Sequence, residues 1–316
     1  MAEWLVEEGI GEHRAVLVEG GRIVAARLDW PGPLAAGLVE DAVLVSRSAG
    51  SARGTARFAS GEQALVDRLP REASEGAPLR LAVTRAAMPE RSRVKLAQAR
   101  PTTDPPRPAP TLAEQLGARV VRELEGWEEL WAEALCGSVE FSGGTLEFTP
   151  TAALTAVDID GALSARELAL AAVPALAQAI RRFDLAGSIV IDFPTLPAKA
   201  DRQAVDAALA EALAGWPHEA TAMNGFGLVQ LVARRERASL LDLLTRLPDA
   251  AARMLLRRAE RVTESGALQL SANSRVRSAF SPAWEGELAR RAGRDVVWRI
   301  DDDLACAASF AQAVPR

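Results

Sequence analysis

Two short runs of β-branched and small apolar residues, each delivering aspartate near its end, constrain this chain more than any other feature. The first is Ala153-Leu154-Thr155-Ala156-Val157-Asp158-Ile159-Asp160-Gly161, and the second is Gly187-Ser188-Ile189-Val190-Ile191-Asp192-Phe193. Between them, Ser164 to Phe183 is rich in Ala and Leu at helical spacing and finishes on Arg181-Arg182, basic charge where a helix dipole favours it. Pro174 in the middle of that segment predicts a kink or a division of the helix. Strand, helix and strand in this order make a βαβ unit with parallel strands, which puts the aspartate-bearing ends on one edge of a sheet. Alternation along a strand points Asp158 and Asp160 to the same face. The β-branched run before Asp192 reads as a strand buried on both faces. Carboxylates gathered this closely repel one another unless a cation lies between them, and oxygen-only ligands favour Mg²⁺ or Mn²⁺. The same residues also fit a second reading as turns and caps, since aspartate is common at strand ends and Asp160-Gly161 is a turn dipeptide.

The blocks Leu154 to Asp160, Ala169-Leu170-Ala171-Ala172, Asp184 to Phe193 and Gly225-Phe226-Gly227-Leu228-Val229-Gln230-Leu231, the last followed by Arg234-Arg235, resemble the catalytic core of the ribonuclease E/G family. The resemblance covers residues 145 to 240 well and the flanks faintly. It implies that Asp158 and Asp192 hold one Mg²⁺, and that Asp160 stands where the family usually carries the Asn that orients attack on the phosphate. Lys199 and Arg202 resemble the start of the family's next helix, and Thr195 occupies a place where a further Asp is common. The family's Arg-x-Arg after the last strand has Ala233 in its first position here, leaving Arg234 and Arg235 as candidate phosphate contacts, a role that suits the guanidinium fork. The alternative is that these arginines only end a strand and begin a solvated helix. The family's Cys-x-x-Cys zinc link is missing: Cys136 and Cys306 are far apart in sequence, so no structural zinc and no zinc-joined oligomer is expected. The part that senses an RNA 5′ end is missing or much shortened, so 5′-end dependence does not carry over.

Residues Trp4 to Trp30 read as short alternating strands with a Gly20-Gly21 hairpin turn, similar to the family's opening strand pair. Ala42 to Ala97 then fills the slot of an RNA-binding barrel of the S1 type, with candidate strands at Ala42–Val45, Gly54–Phe58 and Leu79–Thr84. Phe58 is the sole aromatic residue between Pro31 and Pro101, a poor base-stacking platform, so the barrel is expected to be reduced and largely structural. Arg85, Arg91, Arg93 and Lys95 form a basic cluster that fits either an RNA backbone or a solvated face. The Pro-rich stretch that follows is a semi-rigid linker. Thr111 caps a helix whose pattern continues from Leu112 through Trp127 and Trp131 to Leu135, with the tryptophans on its packed face. Gly137 to Phe148 reads as a hairpin leading into the first aspartate strand. In the tail, an Arg-rich helix follows Leu240, with strands at Ala267–Ser271 and Val296–Ile300 and a helix at Trp284–Ala292. Asp301-Asp302-Asp303 is a solvated turn, because consecutive side chains cannot all face one point.

The expected architecture is α+β. A β-rich N-terminal region with a reduced S1/OB-like barrel spans 1–100 and the linker 101–111. A mixed α/β catalytic core containing the βαβ unit spans 112–240, and a small C-terminal α+β domain spans 241–316. A net charge of −5 and a pI near 5.4 exclude a general nucleic-acid binder, so any RNA contact must be local. The opening residues carry charge throughout and no apolar run approaches a membrane span, which predicts a cytoplasmic protein with no membrane partner. No nucleophile elbow, P-loop or GxGxxG competes, and His13 and His218 are isolated. The resemblance therefore implies a Mg²⁺-dependent endoribonuclease of RNA processing or decay, cutting single-stranded RNA to 5′-phosphate and 3′-hydroxyl ends. Asp158, Asp160 and Asp192 would be catalytic, with Asp158 and Asp192 the metal ligands and Asp160 either orienting the water or completing the metal shell, and Arg234, Arg235 and Lys199 the RNA contacts. Two alternatives stay open: an RNA-binding protein that keeps the scaffold without catalysis, and a metal-dependent nuclease for another nucleic acid.

Overall fold

The computed structural model describes residues 1–89 and 94–315. β1 (Glu3–Glu8), β2 (His13–Glu19) and β3 (Arg22–Asp29) form an antiparallel meander, with Gly20-Gly21 at the expected hairpin turn. Next come β4 (Val39–Arg47), β5 (Gly54–Arg57), β6 (Gln63–Val66) and β7 (Pro78–Arg85). After a short ladder of β8 (Met88–Pro89) and β9 (Val94–Lys95), β10 (Ala97–Pro101) closes a five-stranded barrel with β4, β5, β6 and β7. Its own small core contains Leu44, Ala56, Val66, Leu81 and Val83. Phe58 lies in that core at 3% exposure, so among the described barrel residues no aromatic ring faces outward. Arg85 is also buried, donating to Gln98 Oε1 and to the Leu96 carbonyl, while Arg91 and Arg93 lie outside the described residues.

The linker is shorter and less free than the prolines suggest. Arg100 and Pro101 belong to the closing strand β10. Beyond them, Arg107 and Val39 exchange backbone hydrogen bonds of 3.0 Å, which lays the proline stretch along the barrel. The chain leaves where it entered: Gly37 abuts the Pro110 ring so closely that a Cβ there would come within 2.6 Å of it.

The single long helix expected from Leu112 to Leu135 is two helices separated by a strand. α1 (Leu112–Leu116) begins with a Thr111–Glu114 capping box and stops at Gly117, whose φ of +57° is left-handed. β11 (Arg119–Val121) then pairs in parallel with β1, and α2 (Trp127–Cys136) follows. Its Trp127 and Trp131 are buried, as expected.

The central sheet comprises β12 (Ser138–Phe141), β13 (Gly144–Pro150), β14 (Thr155–Gly161), β15 (Gly187–Asp192), β16 (Glu219–Ala220) and β17 (Leu228–Ala233), ordered β12-β13-β14-β15-β17-β16. β14 and β15 run parallel, joined by α3 (Ala165–Arg182), so the βαβ unit is present; the other pairings are antiparallel. α3 is capped by Glu167, which accepts from the Ser164 amide and hydroxyl. Pro174 is exposed and does not divide this helix, whose opposite stripe of Leu168, Ala172, Leu176 and Ile180 is buried. α4 (Lys199–Ala212) packs beside α3. These helices cover one face of the sheet, over Val157, Ile159, Ile189, Ile191, Val229 and Leu231. The other face is open, so β15 is buried on one side only: Ile189 and Ile191 point in while Asp192 is exposed. Val16, Ala26 and Leu28 join this same core, which ties residues 1–29 to the central layers rather than to the barrel.

Beyond β17 lie α5 (Leu240–Leu244), α6 (Leu247–Glu260), β18 (Ala267–Ala272), α7 (Ser274–Ala279), α8 (Pro282–Ala292), β19 (Val296–Ile300) and β20 (Phe310–Val314). Their three-stranded sheet is ordered β19-β18-β20. α6 has two apolar faces: Ala250 and Met254 enter the central core, while Ala252, Leu255 and Leu256 enter the C-terminal one. Asp301 to Asp303 form the expected turn, and Asp302 accepts from the Ser274 amide at 2.8 Å.

Glu7, Glu12, Arg14 and Arg257 are buried at the seam between these bodies and joined by ion pairs. Glu7 accepts from Arg14 at 2.7 Å, Arg257 at 2.9 Å, Arg261 at 3.2 Å and the Leu124 amide at 2.8 Å. Arg14, fully buried, also donates to Glu12, which in turn accepts from the Trp30 indole at 3.1 Å. Arg253 lies between the Trp30 and Trp284 rings, 3.9 and 4.6 Å from their centroids. Burial there pulls its guanidinium down to about 10. Breaking a buried, hydrogen-bonded ion pair from one side leaves the other charge uncompensated, which costs about 3–5 kcal/mol. Glu7→Gln is therefore expected to lower the unfolding free energy by that order in urea titrations. Glu3→Gln, which loses only the exposed Glu3–Arg119 pair, should be nearly silent.

Candidate active site

Register brings the two sequence-predicted metal aspartates together. Asp158 of β14 pairs directly with Asp192 of β15, on adjacent strands about 4.8 Å apart. Both side chains are exposed on the open face, as is Asp160, two residues along β14 and opposite Thr145. The row extends to the other side: Asp158 also faces Glu147 of β13, which accepts from Ser138 at 2.5 Å. Glu147, Asp158 and Asp192 thus line up across adjacent strands. Like charges directly opposite one another destabilise a sheet. No Lys or Arg among the described residues forms an ion pair with Asp158, Asp160 or Asp192, and Asp158 is relieved only by a hydrogen bond from the Ile159 amide at 3.0 Å.

A hard divalent cation fits this donor set. Asp158 and Asp192 offer oxygen ligands from one side while water reaches them from the other. Mg²⁺ is commonly held in that way, by one or two carboxylates plus retained waters. A protein cage is not on offer, because no group of three or more His, Cys, Asp or Glu side chains among the described residues converges on one point.

The surrounding loops are fixed from the packed side of the sheet. The segments after β14 and β15 feed α3 and α4, and Arg166 in the first turn of α3 donates to Asp201 in the first turn of α4 at 3.0 Å. Arg202 holds the loop after Asp192 through the Leu196 and Pro197 carbonyls. Lys199, at the start of α4, is exposed on this same carboxylate edge. The two arginines are not. β17 runs antiparallel to β15, with Leu228 beside Asp192 and Ala233 beside Gly187. Arg234 and Arg235 therefore lie at the opposite end, about 20 Å from Asp192 by strand rise. Arg234 is 86% exposed, whereas Arg235 is partly buried and paired with Asp242 at 2.7 Å.

Sequence reasoning overlooks two features of the site. Glu147 is set opposite Asp158 by the register of the hairpin that joins β13 to β14 through residues 151–154. The other is the turn before β17, which the sequence reading takes as the start of the strand. There Asn224 Oδ1 accepts from the Phe226 and Leu228 amides at 2.9 and 3.1 Å, and Phe226 is thrown outward. Gly227 has φ of +94°, and a Cβ on it would lie 2.2 Å from the Phe193 carbonyl oxygen.

A barrel beside an α+β core, with a carboxylate pair in register on an open sheet face, is the class of protein these features define. Residues 104–237 match the model of the Ribonuclease E/G family. The match begins in the linker, spans the whole central sheet and ends just past β17, taking in Asp158, Asp160, Asp192, Lys199, Arg234 and Arg235. No curated protein matches the chain.

Glycine is required at 227 but not at 225, where a Cβ would meet open space. Gly227→Ala should lower stability by about 1–3 kcal/mol, the cost of a strained backbone, and show it as a reduced melting temperature. Gly225→Ala should melt close to wild type.

Proposed function

We propose that this chain is an endoribonuclease that hydrolyses single-stranded RNA, with Mg²⁺ held by Asp158 and Asp192. The observation that carries this reading is the in-register Asp158–Asp192 pair, exposed and without a cationic partner among the described residues, inside the segment that matches a ribonuclease family. An open sheet face suits a polymer, which must enter and leave sideways. Mg²⁺ bound there supplies an acidified water and screens the phosphate charge. Mn²⁺ has the same donor preference. The protein's own part is to position. Asp158 and Asp192, fixed by strand pairing, set where the phosphodiester sits. Asp160, about 7 Å along the same strand, accepts a hydrogen bond from the attacking water and orients it. Lys199 neutralises phosphate on the carboxylate edge. Arg234 meets the RNA backbone some 20 Å away at the far end of β17. In-line attack leaves a 5′-phosphate and a 3′-hydroxyl.

A second reading rests on Asp160. A carboxylate where the family usually has Asn adds negative charge beside the phosphodiester, which favours a scaffold that binds RNA without cutting it. Cleavage of a fluorescent single-stranded RNA separates the two readings. Wild type with Mg²⁺ is expected to cut RNA and to stop in EDTA, and Asp192→Asn to lose at least about 10²-fold in rate, the loss expected for several kcal/mol of charge stabilisation. Intact binding with no cutting would overturn the enzyme reading in favour of the binder. Preferential cutting of a matched DNA strand would reassign the substrate.

A further inference from the structure

We propose that Phe226 is a base-stacking residue that seats the nucleobase next to the phosphate that Mg²⁺ on Asp158 and Asp192 would hold. This inference rests on the ribonuclease reading and names how that site grips its substrate. Phe226 is 79% exposed, whereas Phe58, Phe148, Phe183, Phe193 and Phe280 are all at or below 6%. Leaving so much apolar surface in water is unfavourable in proportion to its area, and packing gives no reason for it here.

The ring is held out on a rigid support. Asn224 ties the turn from inside, its side-chain Oδ1 accepting from the amides of Phe226 and Leu228 and its backbone N–H donating to the Leu228 carbonyl at 3.1 Å. The Gly227 carbonyl accepts from the Phe193 amide at 3.2 Å, one residue beyond Asp192. Thr195, in the same loop after Asp192, approaches the Phe226 carbonyl at 3.5 Å. From α4, Asp206 accepts from the Met223 amide at 3.0 Å and anchors the start of the turn. An exposed phenyl ring on a turn fastened to the loop after Asp192 is preorganised, so stacking on it orders few new rotors.

Position selects the ligand. Leu228, 37% exposed, is in register with Asp192 on the open face, so an apolar shelf of Phe226 and Leu228 borders the carboxylate row. That row repels phosphate, and Arg234 and Arg235, just past β17, lie about 20 Å away along the strand axis. A nucleic-acid strand crossing here needs an attraction that does not depend on charge, and a π-face for its bases supplies one that tolerates any sequence.

Anisotropy of a fluorescent single-stranded RNA, in EDTA so that no cutting occurs, tests this with the full chain. Phe226→Ala and Phe226→Leu are expected to weaken binding roughly 5- to 150-fold, and Phe226→Trp to keep it, matching the strength of base–aromatic stacking. Because stacking releases no counterions, the slope of log affinity against log salt should be the same in wild type and variants. A 2-aminopurine placed in the RNA should be quenched by wild type and by Phe226→Trp but not by Phe226→Ala, a signal that a purely structural residue would not move. Wild-type affinity in Phe226→Ala, or equal binding by the Leu and Trp variants, would overturn the inference while leaving the nuclease reading intact. Wild type that neither binds nor cuts RNA would overturn both.

Discussion

The carboxylate of Glu7 is the constraint on which the rest of this molecule depends. Buried, it accepts from Arg14 on the neighbouring strand, from the backbone ahead of α2, and from Arg257 and Arg261 on α6. Those partners come from the first sheet, the central layers and the helix shared with the C-terminal domain. A charge so placed is tolerable only when its partners arrive together, since each one missing leaves desolvation uncompensated. The network thus acts as a geometric filter on assembly: relative placements of the three bodies that leave Glu7 short of donors are penalised. Nonpolar packing along the two faces of α6 supplies attraction between them, and the ionic seam supplies registry.

The central βαβ unit is legible in the sequence because three signals agree there. Val157, Ile159, Ile189 and Ile191 give strand periodicity, Ser164 to Phe183 gives a capped amphipathic helix, and a parallel crossover follows from their order. Elsewhere local pattern is silent or misleading. Ala97 to Pro101 and Gln63 to Val66 have too little hydrophobic contrast to stand out, and they become strands because closing the barrel satisfies their backbone groups. Helical spacing runs on from Leu112 to Trp131, yet β1 offers an open edge and Val120-Val121 pair with it. The open outer face of β15 is invisible for a related reason. Val190 looks like core by composition, and the placement of α3 and α4 on the opposite side leaves it half-exposed.

The site shows the same division. Asp158 and Asp192 can be paired from sequence because parallel strands joined by one helix carry their ends to one edge. Arg234 and Arg235 cannot be placed that way, because the direction of β17 is set by tertiary pairing; antiparallel to β15, it carries them away from the aspartates. Phe226 escapes notice because exposure is a property of the fold. In the sequence Gly225-Phe226-Gly227 resembles the start of a strand, and the hydrogen bonds of Asn224 make it a turn instead.

The meeting of Gly37 with Pro110 has a topological consequence. The barrel enters and leaves through a narrow neck, with its own core and both ends side by side, while the first sheet and the central layers close over one another without it. It is therefore a guest module threaded into a host, of the kind that insertion or excision between adjacent ends can add or remove without re-routing the host chain. Its barrel core and the host's sheet can accordingly drift apart in sequence at different rates. A barrel without an outward aromatic ring can persist beside a host that keeps its carboxylate pair.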